Sequence, residues 1–584
     1  MSDFPIPDIF KGKVIKRGDA DYEQQSYQYA SSSYLEEDIV RPAVIIQPAD
    51  DDDVIKAIKY ASDNKIAVAV RTGGHQYCGA SSTSGKNIQL DLSQTYNKDP
   101  IQFPTKDPKD FNWENEDCTL VTFGVSYSLG DFNAKLRDKN RFVPHGQCKY
   151  VNLGGHVQTG GYGMLGRSFG LLSDYVEKFR IITADGQIRW IEKNNNEDKD
   201  LFFAVLGGSP GNFGVITHVT LRVFKDEDHR NSRGLRAAYP YNSKSLKALL
   251  DVMVEMVEDE NFPADYDYCV TVLETPPAIF PNEISYDQRF NNKGTPQEVG
   301  QQQIVWPRSI VVFVQWANLQ GDTQTYNPAF INKIRKAAGQ GIEVVSDNIH
   351  TPMSTLTGHW IVPITREFDL PYIKRVYASN SNAERLKKFK WTNWVVDRID
   401  NAYKQNLNLS VQVQHFGGSN SLYFKNGNNS PTSFSWRDTN LGWTNDAFYH
   451  AHLYEEAVTW QEENDKEGVG NPKAKFSEQD HRVLWGSFDL DLSSNHQYYY
   501  DSEEKYQRLC QIKNHYDPLG VFTPNRFCIG LPPEDKQPRR IGFAGLKKGT
   551  IPEPHKNHEE KFWEMVSMEK VFGKPIPLWH TWRT

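Results

Sequence analysis

The sequence predicts an α+β chain in which a first domain of mixed strands and helices is followed by a second built on an antiparallel sheet backed by helices. Three observations lead there. The chain opens with strand, helix and strand in alternation, whereas amphipathic helices alternate with long apolar strands after residue 223. A length of 584 residues is also more than one ordinary core organises.

In chain order, "AVIIQP" from residue 43 reads as a buried strand and "ADDDDVIKAIKYASDN" as a helix with acidic residues at its positive end. "KIAVAV" is the next strand. "CTLVTFGV", "SLGDFNAKLRDK" and "RFVPHG" repeat that order, and "VEKFRIITADGQIRWI" reads as a hairpin turning at Asp185-Gly186. Beyond "NFGVITHVTLRVF", helices such as "SLKALLDVMVEMVED" alternate with strands such as "SIVVFVQWA" and "LNLSVQVQHF". The helix "SEEKYQRLCQIKNHY" then stops before Asp517-Pro518, and a tail rich in proline and charge follows. The expected divisions are a first domain over 1–223 with a return over 484–533, a second domain over 224–483 and an extension over 534–584.

Composition excludes several function classes. A hydrophobic content of 38% with 12% aromatics is that of a folded chain, and a net charge of -8 disfavours nucleic acid or a membrane surface as partner. No apolar run reaches the roughly 18 residues a membrane helix needs, and "MSDFPIPDIFKGKVIK" lacks the apolar core of a secretory signal. A cytoplasmic or other intracellular soluble protein, monomer or homodimer, is expected, with secretion left open. The six cysteines show no CxxC pairing, so no metal site or disulfide scaffold is expected.

Two glycine-dense stretches carry the chemistry. "RTGGHQYCGASS", residues 71–82, sits at a strand end, where backbone N–H groups in tight turns can cradle an anion. The overlapping "GASSTSGKN" is not a phosphate loop, because five residues rather than four separate Gly79 from Gly85 and Asn87 replaces the magnesium-binding hydroxyl. No GxGxxG follows the first strand. The second stretch, "HGQCKYVNLGGHVQTGGYGML" over 145–165, adds two glycine pairs that allow close backbone approach to a flat or phosphorylated ligand.

With "RTGGHQYCGAS", "GQCKYVNLGGHVQTGGYGMLGRSFGLLSDYV", "ADG", "LFFAVLGGSPGNFGVIT" and "YDPLGVF" followed by "GLPP", the chain resembles the berberine bridge enzyme-like branch of the vanillyl-alcohol oxidase (PCMH-type) flavoproteins, with hexose oxidase among the closer relatives. The resemblance runs in order from about residue 40 to 223 and again from about 484 to 533. It implies a PCMH-type FAD-binding domain with FAD held bicovalently, by an 8α bond to His75 and a 6-S bond to Cys148. It also implies FAD contacts from Arg71, Thr72, Gly73, Gly74, Gln76, Ser81, Gly146, Val151, Gly154, Gly155, Gly160, Gly161, Tyr162, Gly163, Asp174, Gly214 and Val215. Val151 stands where oxygen-using members of the family carry valine, which implies an oxidase.

The implied activity is oxidation of a hydroxyl, or of a C–H beside a heteroatom, on a sugar or oligosaccharide. Hydride passes to flavin N5 and O2 is reduced to H2O2. Alternatives are oxidation or oxidative cyclisation of an alkaloid, polyketide or terpenoid-like metabolite, and a catalytically inactive flavin-binding module. "LSVQVQHFGG" resembles the strand that carries Gln-x-Asp in carbohydrate oxidases, which puts Gln412 and Gln414 on one substrate-facing side, with Gln414 at the aspartate position. "WGSFDLDL" resembles the segment bearing the family's tyrosine base, and aligning Asp489 and Asp491 puts Ser487 there. Neither serine nor glutamine readily takes a proton near pH 7. Either another base has moved in, with Tyr498, Tyr499, Tyr500, His415, His450 and His452 as candidates and Tyr500, Tyr499, His450 and Gln414 the catalytic set, or an acidic or activated substrate needs no strong base, or alcohol oxidation has been lost. Trp306, Trp316, Trp360, Trp391, Trp394, Trp436 and Trp443 are either core residues or platforms that stack on sugar rings or on planar natural-product rings.

Overall fold

The computed structural model describes residues 6–26, 28, 41–76, 80–103, 119–273, 308–361, 372–449, 453–483, 492–522 and 527–530. Two large hydrophobic cores organise them. The first joins Val44, Ile58, Leu90, Phe123, Phe179 and Val219 to Tyr506, Leu509, Val521 and Ile529 from the far end of the chain. The second is drawn from Leu235 to Phe476.

Val44–Gln47 and Val68–Arg71 both run parallel to Ile88–Asp91, with Lys13–Lys16 antiparallel at the edge. The helix Asp51–Asp63 crosses between the first two of these strands and buries Val54, Ala57, Ile58 and Ala61, one stripe at helical spacing. Its start is set by Asp50, whose side chain accepts from Asp53 N, and by Asp51, Asp52 and Asp53 at the positive end.

A second sheet, all antiparallel, orders Leu120–Gly124, Val215–Arg222, Val176–Ile182 and Ile188–Glu192. The expected hairpin is its outer pair, turning at Gly186 with φ +74°. "RFVPHG" departs from the expected repeat. Only Arg141–Phe142 pairs, and it pairs with Phe224–Lys225 rather than with Leu120–Gly124. Pro144 has no N–H to extend a ladder, and the chain turns instead toward Cys148.

The second unit carries an antiparallel sheet of eight strands, including Arg233–Pro240, Tyr266–Leu273, Ser309–Trp316, Tyr372–Ser379, Asn408–His415 and Leu441–Phe448. Strand alternation divides its faces. Tyr268, Val270, Val411, Val413 and Trp443 pack with the helices Ser243–Glu258 and Trp391–Lys404, whereas Cys269, Val311 and Phe313 pack with Phe142, Met164 and Phe169 of the first unit. One face of the sheet therefore looks at the first unit. Trp316, Trp360, Trp391, Trp394 and Trp443 are buried core residues. Trp436 is half-buried and stacks on His481, and Trp306 lies outside the described residues.

The units are joined by buried charge. Arg167, with a side chain 1% exposed, donates to the carbonyls of Gly417, Tyr266 and Phe262, and its backbone N–H donates to Asp267. The helix Glu503–Tyr516, capped by Ser502, ends at Asp517, and Val68 N then donates to Val521 O at 2.6 Å. This closes the end of the chain onto the first sheet. The proposed extension over 534–584 lies outside the described residues.

Candidate functional site

A cleft of about 1220 Å³, taken out to its solvent-open mouth, is lined by Thr72, Gly73, Gly74, His75, Gln76 and Ser81 from one stretch. Gly146, Cys148, Val151, Gly154, Gly155 and Tyr162 line it from the other. Strand Val68–Arg71 delivers the first turn, and Gly74 there has φ +66°, a conformation glycine takes without strain.

The glycines also let the two turns touch. A Cβ on Gly73 would lie 2.9 Å from Asn152 N, and one on Gly154 would lie 2.8 Å from Thr72 Cγ2. Gly155 differs: a Cβ there meets nothing within 4 Å, so it borders open space. The Cys148 turn closes with Val151 N donating to Cys148 O at 3.2 Å. It seats on the first residues of helix Leu129–Arg137, where Leu129 N and Gly130 N donate to Val151 O and Lys149 O. The Cys148 thiol is half-buried and in no disulfide.

Two neutral imidazoles frame this turn. Gly146 N donates to His156 Nε2 at 3.0 Å, and burial, with a smaller effect of His145, pushes His156 down to about 3. Burial likewise lowers His145 to about 4. His156 also lines the cleft. With Nε2 accepting, the neutral ring carries its proton on Nδ1.

Several residues predicted to contact a cofactor sit away from the cleft walls. Arg71 donates to Gln25 O at 2.8 Å and lies 3.9 Å from Asp91. Asp174 is taken up by Arg437, at 2.8 Å, and by Leu171 N, so its carboxylate ties the two units together. Gly160, Gly161, Gly163 and Gly214 face protein rather than open space: added Cβ atoms would meet Phe434, Leu172, His145 O and Ile182 O. Val215 is a core residue, and its neighbour Ile216 is the one in the wall.

The base candidates are corrected in the same way. Tyr499 and Tyr500 belong to the first core, and burial pushes the Tyr500 phenol well above its ordinary value, the wrong direction for a base near neutral pH. Tyr498 is also packed against that core. His415 is fully buried on the helix-backed side of the sheet, and its imidazole is driven well below its ordinary value by burial and by Arg167. Gln414 shares a sheet face with Gln412, yet its Nε2 is committed to Gly163 O at 2.6 Å. Gln412 reaches nearer the cleft: it donates to Oε1 of Gln147, a wall residue, at 3.1 Å. His450, His452 and Ser487 lie outside the described residues.

Sequence reasoning missed Gln147, Asn152, Gln158 and Lys374, all in the wall. Lys374 is the informative omission. Alternation in "YIKRVYAS" sets it two residues from Tyr372 and Val376 on one face, a signal visible only once the facing side of that strand is known. Among the described residues no aspartate or glutamate lines the cleft. Among them also, no helix is long and apolar enough to cross a membrane.

Comparisons with known proteins agree with this geometry. The model of the FAD binding domain matches residues 42–192, and that of the berberine and berberine like domain matches 487–526. FAD-linked oxidoreductase sorD of Penicillium rubens is 32% identical over 201 residues, which are 34% of this chain and 39% of that protein. Berberine bridge enzyme-like 12 of Arabidopsis thaliana is 34% identical over 179 residues, 30% of this chain and 31% of that protein. The alignments thus span well under half of these relatives. The solved glucooligosaccharide oxidase of Acremonium strictum, whose FAD is described as 6-S-cysteinyl and 8α-N1-histidyl, is 17% identical, with a TM-score of 0.62 over 89% of this chain and 97% of that one. That likeness extends the shared fold over both units. The chain thus matches an FAD binding domain ahead and a berberine and berberine like segment behind, in that order along the sequence, and is similar to berberine bridge enzyme-like proteins and FAD-linked oxidoreductases.

Proposed function

We propose that the cleft holds FAD linked to both His75 and Cys148, and that the protein oxidises a hydroxyl of a sugar or oligosaccharide. One observation carries this reading: an imidazole and a thiol from turns far apart in sequence line a single cleft, together with glycines of both turns. The fit is supported by Gly155, where a side chain would occupy open space, and by Gly73 and Gly154, which admit no side chain between the turns. FAD, when bound, supplies the hydride acceptor and delivers the electrons to O2, giving H2O2.

The chain's own residues prepare the site. The positive end of helix Leu129–Arg137 lies under the Cys148 turn and favours the thiolate, the reactive form. A neutral His75 imidazole is a competent nucleophile. His156 holds Gly146 by an acceptor nitrogen and so fixes the turn that presents Cys148. Beside Cys148, Gln147 lines the cleft and accepts from Gln412 of the sheet, so this part of the site offers amides rather than a carboxylate. Such amides orient hydroxyl-rich ligands, and a glucooligosaccharide oxidase is among the structural relatives.

Acid-precipitated protein should stay yellow, with an intact mass exceeding the chain by one FAD. Anaerobic mixing with a panel of disaccharides and aromatic alcohols should bleach the flavin with at least one member, and air should restore the colour with H2O2 released. Colourless protein after expression with ample riboflavin would overturn the reading. Bleaching only by non-sugar members would move the substrate to the secondary-metabolite class, and a bound flavin that no member reduces would leave a binding module.

A further inference from the structure

The cleft contains a charged pair that the flavin-site reading does not use. Lys374 and Asp446 are direct partners across the neighbouring strands Tyr372–Ser379 and Leu441–Phe448. The ammonium lies 2.7 Å from Asp446 Oδ1, with side-chain exposures of 11% and 10%. Register fixes which way they face. Asp446 is opposite Ser410 and Thr444 is opposite Gln412, so the pair shares the sheet face of Gln412, the face turned toward the first unit. Of the two, Lys374 lines the cleft. Among the described residues it is the only lysine or arginine in that wall.

A nearly buried ammonium is costly to desolvate unless it is paired. Here Asp446 compensates the charge and aims the head group. A ligand in the cleft therefore meets a donor-only group whose net charge is cancelled from close behind. A neutral oxygen acceptor gains a charge-assisted hydrogen bond there, whereas a carboxylate in the same place feels Asp446 as well as Lys374, which removes most of its Coulombic advantage.

We propose that Lys374, held by Asp446, is a specificity-determining residue of this cleft: it donates to a hydroxyl, ether or carbonyl oxygen of a neutral substrate and discriminates against an acidic substrate placed the same way. This rests on the flavin-site reading and narrows its substrate class to neutral oxygen-rich molecules.

The test uses holoprotein and anaerobic stopped-flow bleaching with cellobiose and with cellobiouronic acid, flavin content being read from absorbance in each variant. In Lys374→Met the concentration of cellobiose for half-saturation should rise about tenfold or more, with the limiting bleaching rate changed much less. Lys374→Arg should recover part of the loss. Asp446→Asn leaves the cation uncompensated and should shift the preference between the two probes toward the acid by about tenfold. If Lys374→Met loads no flavin, the preference measured in Lys374→Arg and Asp446→Asn decides. Unchanged saturation in flavin-loaded Lys374→Met, or an unchanged preference in Asp446→Asn, overturns this inference and leaves the flavin reading standing. A wild-type flavin bleached by neither probe overturns the oligosaccharide reading and this inference with it.

Discussion

The cleft is lined by two glycine-bearing turns of the first unit and by Lys374 from a strand face of the second. In the first, Gly73 and Gly154 bring two turns together, Gly155 borders open space, and His75 and Cys148 sit on those turns. In the second, Lys374 shares one sheet face with Gln412 and Asp446, and each owes its place to strand register. The difference teaches where substitutions act. A turn that needs glycine tolerates almost no other residue, whereas a strand face keeps its geometry while its side chains, and hence its ligand, change.

The sharpest way to break this contrast is to remove both proposed attachment groups. His75→Ala with Cys148→Ala should release all flavin on acid precipitation, with the intact mass falling to the bare chain. Any residual turnover by dissociable FAD should drop about a hundredfold or more, because the ring is no longer held in place. Each single variant should keep the remaining link and stay yellow. Flavin retained by the double variant would place the attachment elsewhere.

Glycine substitutions sharpen the contrast within the first unit. Gly73→Ala drives a Cβ against Asn152 backbone and should cost about 1–3 kcal/mol of stability, seen as a lower Tm. Gly155→Ala meets no protein atom within 4 Å, so Tm of the flavin-free protein should hold while flavin loading falls. Loss of Tm in both, with equal loading, would mean that the open space beside Gly155 is not the cofactor's.

The two regions should also answer pH in opposite directions. His156 is lowered to about 3 and His145 to about 4, both mainly by burial, against an ordinary 6.5, so the unfolded chain binds more protons as pH falls. Their stabilising contribution is present above about 6.5 and is lost as pH drops toward 3. Asp267, where the sheet meets Arg167 and Ser168, is raised to about 7 by burial despite hydrogen bonds from Ser168 and Arg167. Its contribution is full below about 3.8 and is lost as pH rises through 7. Thermal melts across this range should show a shallower acid decline in His156→Gln and a higher neutral-side Tm in Asp267→Asn. The Asp267 effect should be on the order of a few kcal/mol at most.

The smallest expected effects separate the two glutamines. Gln414→Ala removes the side-chain donor to the buried Gly163 carbonyl, which keeps Gly166 N, and should cost about 0.5–1.5 kcal/mol of stability. Gln412→Ala should leave Tm nearly unchanged and raise the substrate concentration for half-saturation a few-fold, because its partner is the wall residue Gln147. Reversed outcomes would exchange their assignments.

Sequence by itself determined the elements whose physics is local. The capped helices Asp51–Asp63 and Glu503–Tyr516, the Asp185-Gly186 hairpin and the glycine turns around His75 and Cys148 all follow from caps, turn residues and periodicity within a few positions. Only the tertiary structure decided which of the marked residues share a space. It set Tyr499 and Tyr500 in a core and tied Asp174 to Arg437. It left Gln414 bonded to Gly163 and brought Lys374 to the cleft. The physical reason is register and packing between distant segments: a strand's alternation says that two side chains share a face, and only the sheet's docking against the other unit says what that face meets.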